Sequence, residues 1–175
     1  MKIFLVGYMG SGKSFLGEKL SKSINYKFID LDEEIEKVAG NSIKKIFKKN
    51  GELYFRKLEN EVLRDVLQNK TYSIISLGGG TPCYGNNMNL INESEDAVSF
   101  YLKVSVEELT ERLFKEKSHR PLISHLENKE ALEEFVRKHL FERGFYYNQA
   151  KHIINIDKNK VDVILKDIIN KAELF

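Results

Sequence analysis

A glycine-rich stretch close to the start of the chain, GYMGSGKS at residues 7–14, constrains the fold more than any other feature. It matches the pattern G-x-x-x-x-G-K-[ST] at every fixed position and carries one further glycine, Gly10. The apolar residues 3–6 before it have the character of a short buried strand, and residues 15–20 after it open a helix pattern. The sequence therefore predicts a strand, a glycine loop and a helix in direct succession.

This order of elements is typical of phosphate-binding loops. Backbone N–H groups of such a loop turn toward phosphate oxygens, and the helix that follows adds the positive end of its dipole. Lys13 would reach the β and γ phosphates of a nucleoside triphosphate, and the Ser14 hydroxyl would bind Mg²⁺. The alternative is a strand-to-helix turn that binds nothing. The candidate nucleotide-binding residues here are Gly10, Ser11, Gly12, Lys13, Ser14 and Phe15.

Composition narrows the class of protein. A chain of 175 residues with 42% hydrophobic content can bury one core, so we expect one domain. Its 28 basic and 26 acidic residues nearly cancel, which argues against a nucleic-acid-binding protein. Cys83 is the single cysteine and cannot form an internal disulfide, and no apolar run is long enough to span a membrane. We therefore expect a cytoplasmic protein without nucleic-acid or membrane partners.

Strand and helix patterns alternate along the chain. Helical periodicity follows the glycine loop and recurs between the later strands, and Ser105 begins a capping-box pattern with Glu108 that opens a helix through about Lys117. This alternation favours a parallel sheet covered by helices on both faces. The five predicted strands cover residues 3–6, 26–29, 73–77, 98–104 and 152–156.

Ligands of such sheets bind outside the carboxyl ends of the strands, where this chain has further polar groups. Asp30 and Asp32 follow the second strand and would share one side if the strand continues; a solvated strand end with a helix cap is the alternative. The glycines at 78–80 would let a ligand approach the backbone closely, or form only a turn. Residues 118–122, around Arg120, suit a mobile lid, although Arg120 could be a surface charge.

Arginine is rare among the basic residues of this chain, with six arginines against a lysine majority. Guanidinium groups are distinctive where a planar, bidentate grip on a carboxylate or phosphate is required, because lysine has no such fork. We therefore single out Arg56, Arg120 and Arg143 as candidate ligands of an anionic substrate.

These features together resemble the shikimate kinase family, a group of P-loop kinases that transfer the γ-phosphoryl group of MgATP to the 3-hydroxyl of shikimate. That reaction lies on the route to chorismate and the aromatic amino acids. The resemblance runs nearly end to end and is carried by GYMGSGKS at 7–14, FIDLD at 28–32, GELYFRKLE at 51–59, GGG at 78–80, RPL at 120–122, and Arg143 with the tyrosines at 146 and 147.

The resemblance implies an α/β fold: a single P-loop kinase domain over residues 1–175 with three α/β/α layers and a five-stranded parallel sheet in the order 2-3-1-4-5. A substrate-binding helical segment would occupy about residues 32–60, and a mobile lid about residues 113–124. It further implies ATP as co-substrate, Mg²⁺ as cofactor and a monomer that acts on small molecules.

The resemblance also implies roles for single residues. Asp32 would orient or deprotonate the attacking hydroxyl, while Lys13 and Arg120 neutralise charge on the transferring phosphoryl group. Asp30 would support Mg²⁺ beside Ser14, the more so because Ser76 and not a carboxylate ends the third strand, and Arg112 is the nearest candidate to stack on adenine. The implied shikimate-binding residues are Asp32, Phe47, Phe55, Arg56, Glu59, Gly78, Gly79, Gly80 and Arg143.

Two other functions compete with this prediction. Another small-molecule kinase of the same branch, such as a gluconate kinase or a nucleoside monophosphate kinase, would share the fold and the loop. A nucleotide-binding regulator would keep the loop and lack the acceptor-side residues. Arg56, Arg143 and Asp32 suit a hydroxylated carboxylic acid, which favours shikimate as the acceptor.

Overall fold

The computed structural model describes residues 1–117, 120, 122–157 and 159–173. Within these residues, five strands form one parallel sheet in the order β2-β3-β1-β4-β5, which confirms the predicted architecture and strand order. Each predicted strand is present, and its ends differ from the prediction by at most one residue. The strands are β1 (Lys2–Val6), β2 (Lys27–Asp30), β3 (Ser73–Ser76), β4 (Ala97–Lys103) and β5 (His152–Asn155).

Helices flank this sheet. Among the described residues, α1 packs against β3 and α7, α4 packs against β4 and α3, and α5 packs against α6. A 3-10 turn, Thr81–Cys83, follows β3. The helices are α1 (Lys13–Ile24), α2 (Leu31–Ala39), α3 (Ile43–Gln68), α4 (Asn87–Glu93), α5 (Val106–Glu116), α6 (Lys129–Tyr147) and α7 (Val161–Lys171). No helix in the described part of the chain has the length and apolar character needed to cross a membrane.

The central strand β1 anchors the core. Its side chains Ile3 to Val6 are fully buried because β3 and β4 pair with both of its edges and helices cover both faces. Leu5 aligns with Ser76 of β3, which in turn aligns with Asp30 of β2. The carboxyl ends of these strands therefore meet at one edge of the sheet, beside the glycine loop.

The second strand does not continue to Asp32, which corrects one expectation. β2 ends at Asp30, and α2 begins directly at Leu31. Asp30 caps that helix, since its Oδ1 accepts a hydrogen bond of 3.1 Å from the Asp32 backbone N–H. The proximity of the two carboxylates therefore comes from a helix cap and the first helical turn, and not from the two-residue period of a strand.

The capping box predicted at Ser105 is half formed. Ser105 caps α5 through its hydroxyl, which accepts from the Glu108 backbone N–H. The reciprocal bond is missing because the Ser105 backbone N–H donates to the Asp157 carboxylate, while Glu108 pairs with Arg112. The α5 helix ends at Glu116, one residue before the predicted end, and residues 118, 119 and 121 of the predicted lid lie outside the described residues.

The long helix α3 contains a sharp interruption. Gly51 adopts φ 81° and ψ 173°, a conformation that is almost exclusive to glycine, and it divides the helix into two segments. Phe47 precedes the break and Phe55 follows it, and their ring centroids lie 4.6 Å apart. The break therefore sets the angle at which the second segment presents Arg56 and Glu59 to the sheet edge.

Candidate active site

The glycine loop has the backbone conformation of an anion-binding loop. Gly10 and Gly12 adopt φ values of 80° and 90°, which side-chain-bearing residues rarely reach, and Gly12 directly precedes the N-terminus of α1. A side chain at Gly10 would also approach Leu113 of α5 to 3.0 Å. The loop is thus held against α5, with the positive end of the α1 dipole directly behind it.

Lys13 lies inside the loop that precedes it. Its ammonium group donates to the backbone oxygens of Gly7 and Tyr8 at 2.9 and 3.0 Å, and the side chain is buried. Burial lowers the pKa of Lys13 to about 8, although Asp32 and Asp30 act in the opposite direction. The lysine is therefore a buried cation held by neutral backbone oxygens, which a negatively charged phosphate group can replace.

A cavity of about 340 Å³ opens at this edge of the sheet and brings most of the predicted nucleotide and catalytic residues together. The predicted residues that line it are Gly10, Gly12, Lys13, Ser14, Phe15, Asp30, Asp32, Gly78, Gly79, Arg112 and Arg120. Ser11 is the one predicted nucleotide-binding residue outside this set. It lines an adjoining cavity of about 440 Å³, which shares Gly12, Phe15 and Arg112 with the first.

Three oxygen-bearing side chains meet at the end of the loop. The Ser14 hydroxyl donates to Asp30 Oδ2 at 2.9 Å and lies 3.2 Å from the Ser76 hydroxyl. Within the described residues, no group of three His, Cys, Asp or Glu side chains could hold a metal ion. This donor set nevertheless fits Mg²⁺, which takes few protein ligands when phosphate oxygens and water complete its coordination.

Asp32 is a half-buried carboxylate that lines the cavity. Desolvation, together with the nearby charges of Asp30 and Glu59, raises its pKa from 3.8 to about 6. Its Oδ1 lies close to the glycine turn, 2.7 Å from the point where a Cβ on Gly78 would be. A carboxylate with a raised pKa beside a phosphate-binding lysine has the properties of a general base.

The glycines at 78–80 form a tight turn against the phosphate loop. Thr81 donates its backbone N–H to Gly78 at 3.1 Å, and a Cβ on Gly79 would lie 3.4 Å from the Met9 backbone nitrogen. A Cβ on Gly80 would contact the Arg56 guanidinium at 3.0 Å. The turn therefore lies in close contact with both the phosphate loop and the part of α3 that carries Arg56.

Arg56 is fixed from several sides at that junction. Its Nη1 donates to Glu59 at 2.9 Å, and Thr81 donates to the other oxygen of the same fully buried carboxylate at 2.7 Å. Glu52 accepts from Nε and Nη2, each at 3.4 Å. The ring centroid of Tyr84 lies 3.7 Å from Cζ. These contacts bring Arg56, Glu59 and Gly80 together as the resemblance implies.

Arg143 approaches the same turn from α6. Its guanidinium carbon lies 5.7 Å from the ring centroid of Tyr8, and it shares a hydrogen bond with the Tyr147 hydroxyl. That hydroxyl donates to the Gly79 carbonyl at 2.6 Å, so Arg143 is tied to the glycine turn. Tyr8 is anchored in turn, since its hydroxyl lies 3.0 Å from His139 Nδ1.

Phe47 and Phe55 differ in exposure. Phe55 is buried in the core, whereas 36% of Phe47 is exposed, and neither borders the cavity at the sheet edge. Their tilted ring pair thus forms the wall of α3 near Arg56, and Phe47 presents the more accessible ring. Arg56, Glu59, Gly80 and Arg143 likewise lie beside the main cavity without lining it.

The two arginines on the nucleotide side are paired with glutamates four residues earlier in the sequence. Arg112 Nε donates to Glu108 at 2.9 Å, and its Nη1 reaches the Gly10 carbonyl at 3.3 Å. Arg120 Nη2 donates to Glu116 at 2.7 Å. Arg112 separates the two cavities, which suits a residue that flanks a bound nucleotide.

Sequence reasoning gave no role to several residues that hold the site together. Tyr8 lies inside the loop motif and Tyr147 follows Arg143 by one helical turn, so both positions were within the quoted motifs. Tyr84 and Glu52 hold Arg56, yet no spacing rule links Tyr84 to a residue on another element. Only the folded chain shows that contact.

Comparison with known proteins identifies the family of the chain. A family model described as shikimate kinase matches residues 9–173. Shikimate kinases of Flavobacterium johnsoniae and Flavobacterium psychrophilum are 50% and 48% identical; the first alignment covers 97% of each chain, and the second covers 93% of this chain and 94% of the relative.

Solved structures give the same result. A shikimate kinase structure from Bacteroides thetaiotaomicron matches with a TM-score of 0.89 at 32% identity and covers 99% of this chain and 98% of that one. A shikimate kinase from Acinetobacter baumannii in complex with shikimate matches with a TM-score of 0.84 at 30% identity, covering 99% of this chain and 93% of that one. The chain therefore belongs to the shikimate kinase family, whose members are ATP-dependent kinases.

Proposed function

We propose that this chain transfers the γ-phosphoryl group of MgATP to the 3-hydroxyl of shikimate, giving shikimate 3-phosphate and ADP. The observation that carries the proposal is the half-buried Asp32 carboxylate, which lines the same cavity as Lys13 and lies beside the glycine turn. Arg56 contacts that turn from α3, and Arg143 is linked to it from α6 through Tyr147. A hydroxylated carboxylic acid needs both kinds of group, an acceptor for its hydroxyls and cations for its carboxylate.

On the nucleotide side, the loop N–H groups and Lys13 bind the phosphates, while Arg112 and Phe15 flank the nucleoside. Among the described residues, Lys13 donates hydrogen bonds only to backbone oxygens, which phosphate oxygens can replace. Arg120 neutralises charge on the transferring phosphoryl group after it leaves Glu116, an exposed ion pair that costs little to break.

Ser14 and Asp30 hold Mg²⁺ together with phosphate oxygens and water. When bound there, Mg²⁺ supplies positive charge to the β and γ phosphates. The existing hydrogen bond between Ser14 and Asp30 supports this assignment, because it already brings the hydroxyl and the carboxylate to the end of the phosphate loop.

On the acceptor side, Arg56 and Arg143 bind the carboxylate of shikimate, and Asp32 accepts a hydrogen bond from its 3-hydroxyl. The hydroxyl oxygen forms a bond to the γ phosphorus as the bond from that phosphorus to the ADP oxygen breaks. Asp32 takes the hydroxyl proton. Positioned proton transfer of this kind contributes about 10² to 10⁴ in rate.

The test is ADP release from MgATP by the purified chain, with shikimate, gluconate or AMP offered as acceptor. We expect release that depends on shikimate alone and that Asp32→Asn lowers by about 10² to 10⁴. Asp162→Asn, an exposed aspartate in the first turn of α7, serves as the matched control and retains full activity. Stimulation by gluconate or AMP would overturn the acceptor assignment, and no stimulation by any acceptor would favour a nucleotide-binding regulator.

A further inference from the structure

The position of Tyr84 against Arg56 assigns it a role in the acceptor site. Tyr84 follows the 3-10 turn after β3 and has 38% of its surface exposed. Its ring centroid lies 3.7 Å from the guanidinium carbon of Arg56, the distance of a face-to-face contact. We propose that Tyr84 is a positioning residue that fixes the plane of the Arg56 guanidinium for the carboxylate of the acceptor. The inference rests on the proposed function.

The hydrogen bonds of Arg56 leave its outer edge available. An arginine has five N–H groups. Glu59 accepts one from Nη1, and Glu52 accepts from Nε and Nη2. The two Nη atoms are the ones that face Gly80, where an added Cβ would lie 3.0 Å from Nη2 and 3.2 Å from Nη1. Among the described residues, the two glutamates use one N–H of each Nη, so the second N–H of each is shared between the Tyr84 hydroxyl, which also bonds Arg56, and a ligand at the glycine turn.

The two glutamates alone do not fix the guanidinium plane. The contacts to Glu52 are long, at 3.4 Å, and Glu52 itself is 53% exposed, so this ion pair restrains the orientation weakly. The Tyr84 ring lies against the guanidinium and does restrain it, because rotation of the guanidinium about the Arg56 side-chain bonds would separate the two planar groups. Bidentate recognition of a carboxylate depends on that plane.

Tyr84 also acts without adding charge at neutral pH. A hydrogen bond with Glu52 raises the pKa of the Tyr84 hydroxyl above its ordinary value of 10.0, so the ring remains neutral. Glu52 and Glu59 already offset the charge of Arg56. A substitution at Tyr84 therefore changes the orientation of the guanidinium and leaves the charges of the site as they were.

The experiment compares two acceptors in the full-length enzyme: shikimate, and the alcohol obtained by reducing its carboxyl group to CH₂OH. We expect Tyr84→Leu to raise the KM for shikimate roughly three- to thirtyfold, the range of a cation–π contact. The kcat and the KM for ATP stay at wild-type values, and the specificity constant for the alcohol is unchanged because it does not use the Arg56 fork. Tyr84→Phe, which keeps the ring, retains a KM close to wild type.

Tyr72→Leu is the matched control, since Tyr72 is another exposed tyrosine, directly before β3 and outside the acceptor site, and its variant keeps wild-type kinetics for both acceptors. Tyr84→Gln suits a partly exposed position and provides a second test of the same rise in KM. An unchanged KM for shikimate in both variants would overturn the inference, as would an equal loss with the alcohol. Wild-type enzyme that ignores shikimate would instead overturn the proposed function on which the inference rests.

Discussion

Asp32 and Lys13 share the main cavity, where desolvation favours the neutral form of each side chain. The carboxyl pKa rises to about 6 and the ammonium pKa falls to about 8. Between these values the carboxylate and the ammonium are both charged, which is the state that a proton acceptor and a phosphate ligand require. The cavity thus keeps a reactive pair ionised near neutral pH at the cost of desolvating both groups.

This pairing predicts a pH profile with two limbs. As pH falls through about 6, Asp32 takes up a proton and can no longer accept one, so kcat/KM for shikimate decreases. As pH rises through about 8, Lys13 loses its charge, so kcat/KM for ATP decreases. Initial rates at constant ionic strength, with either substrate varied, measure both limbs.

Two variants make the assignment of the limbs specific. Lys13→Arg keeps a cation that stays protonated throughout this pH range, so its residual activity has no basic limb. Asp32→Asn removes the acid limb together with most of the turnover. A profile that is flat from pH 5 to pH 9 in the wild-type enzyme would contradict the roles of both residues.

At the scale of elements, the break in α3 determines how the acceptor-side residues meet the sheet. Gly51 adopts a backbone conformation that other residues rarely adopt. Among the described residues, no atom outside the neighbouring backbone of α3 lies within 4 Å of the point where its Cβ would be. An alanine there meets no steric obstacle beyond its own backbone. Any effect of the substitution therefore reports the backbone conformation alone.

We expect Gly51→Ala to lower the free energy of unfolding by about 1–3 kcal/mol, because alanine must either strain the backbone or straighten α3. Straightening would move Phe47 away from Phe55 and raise the KM for shikimate. Gly144→Ala is the control, since Gly144 lies within α6 and its added Cβ meets only Asn148 Nδ2, at 4.0 Å. There alanine stabilises the helix by about 0.5–1 kcal/mol. Urea denaturation measures both changes, and equal effects would refute this role of Gly51.

The sequence predicted the elements of the fold better than the contacts between them. Strand positions followed from apolar runs, because strands buried on both faces must be apolar throughout. The phosphate loop followed from spacing, since the chemistry of backbone N–H groups depends on local conformation. Asp30 was different: its role as the cap of α2 depends on where β2 ends, which the pattern of side chains leaves open.

The supports of the two arginines were beyond sequence reasoning for a related reason. Tyr147 reaches Gly79 across 68 residues, and Tyr8 reaches His139 across 131. Such contacts depend on how elements pack, which local patterns do not specify. The predicted roles of the site residues, the mobile lid, the monomeric state and the cytoplasmic location stay predictions.

At the scale of the whole molecule, both proposed substrate sites are built on one sheet. The phosphate loop follows β1, and the glycine turn follows β3, its direct neighbour. Arg56 comes from α3 and contacts that turn, while Arg143 comes from α6 and is linked to the turn through Tyr147. Because the two sites share their supporting elements, we expect the chain to unfold as one cooperative domain.

Calorimetry tests this expectation together with the ligands. We expect one unfolding transition, and a rise in Tm when MgATP or shikimate is added, since each binds only the folded chain. At a ligand concentration of about 100 Kd the stabilisation is about 2.7 kcal/mol, which corresponds to roughly 5–10 °C for a domain of this size. Lys13→Met should lose the shift caused by MgATP and keep the shift caused by shikimate, because the hydrogen bonds of Lys13 among the described residues go to the phosphate loop. Two separate transitions would contradict the single domain, and a shikimate shift that disappears with Lys13 would show that the two sites do not bind independently.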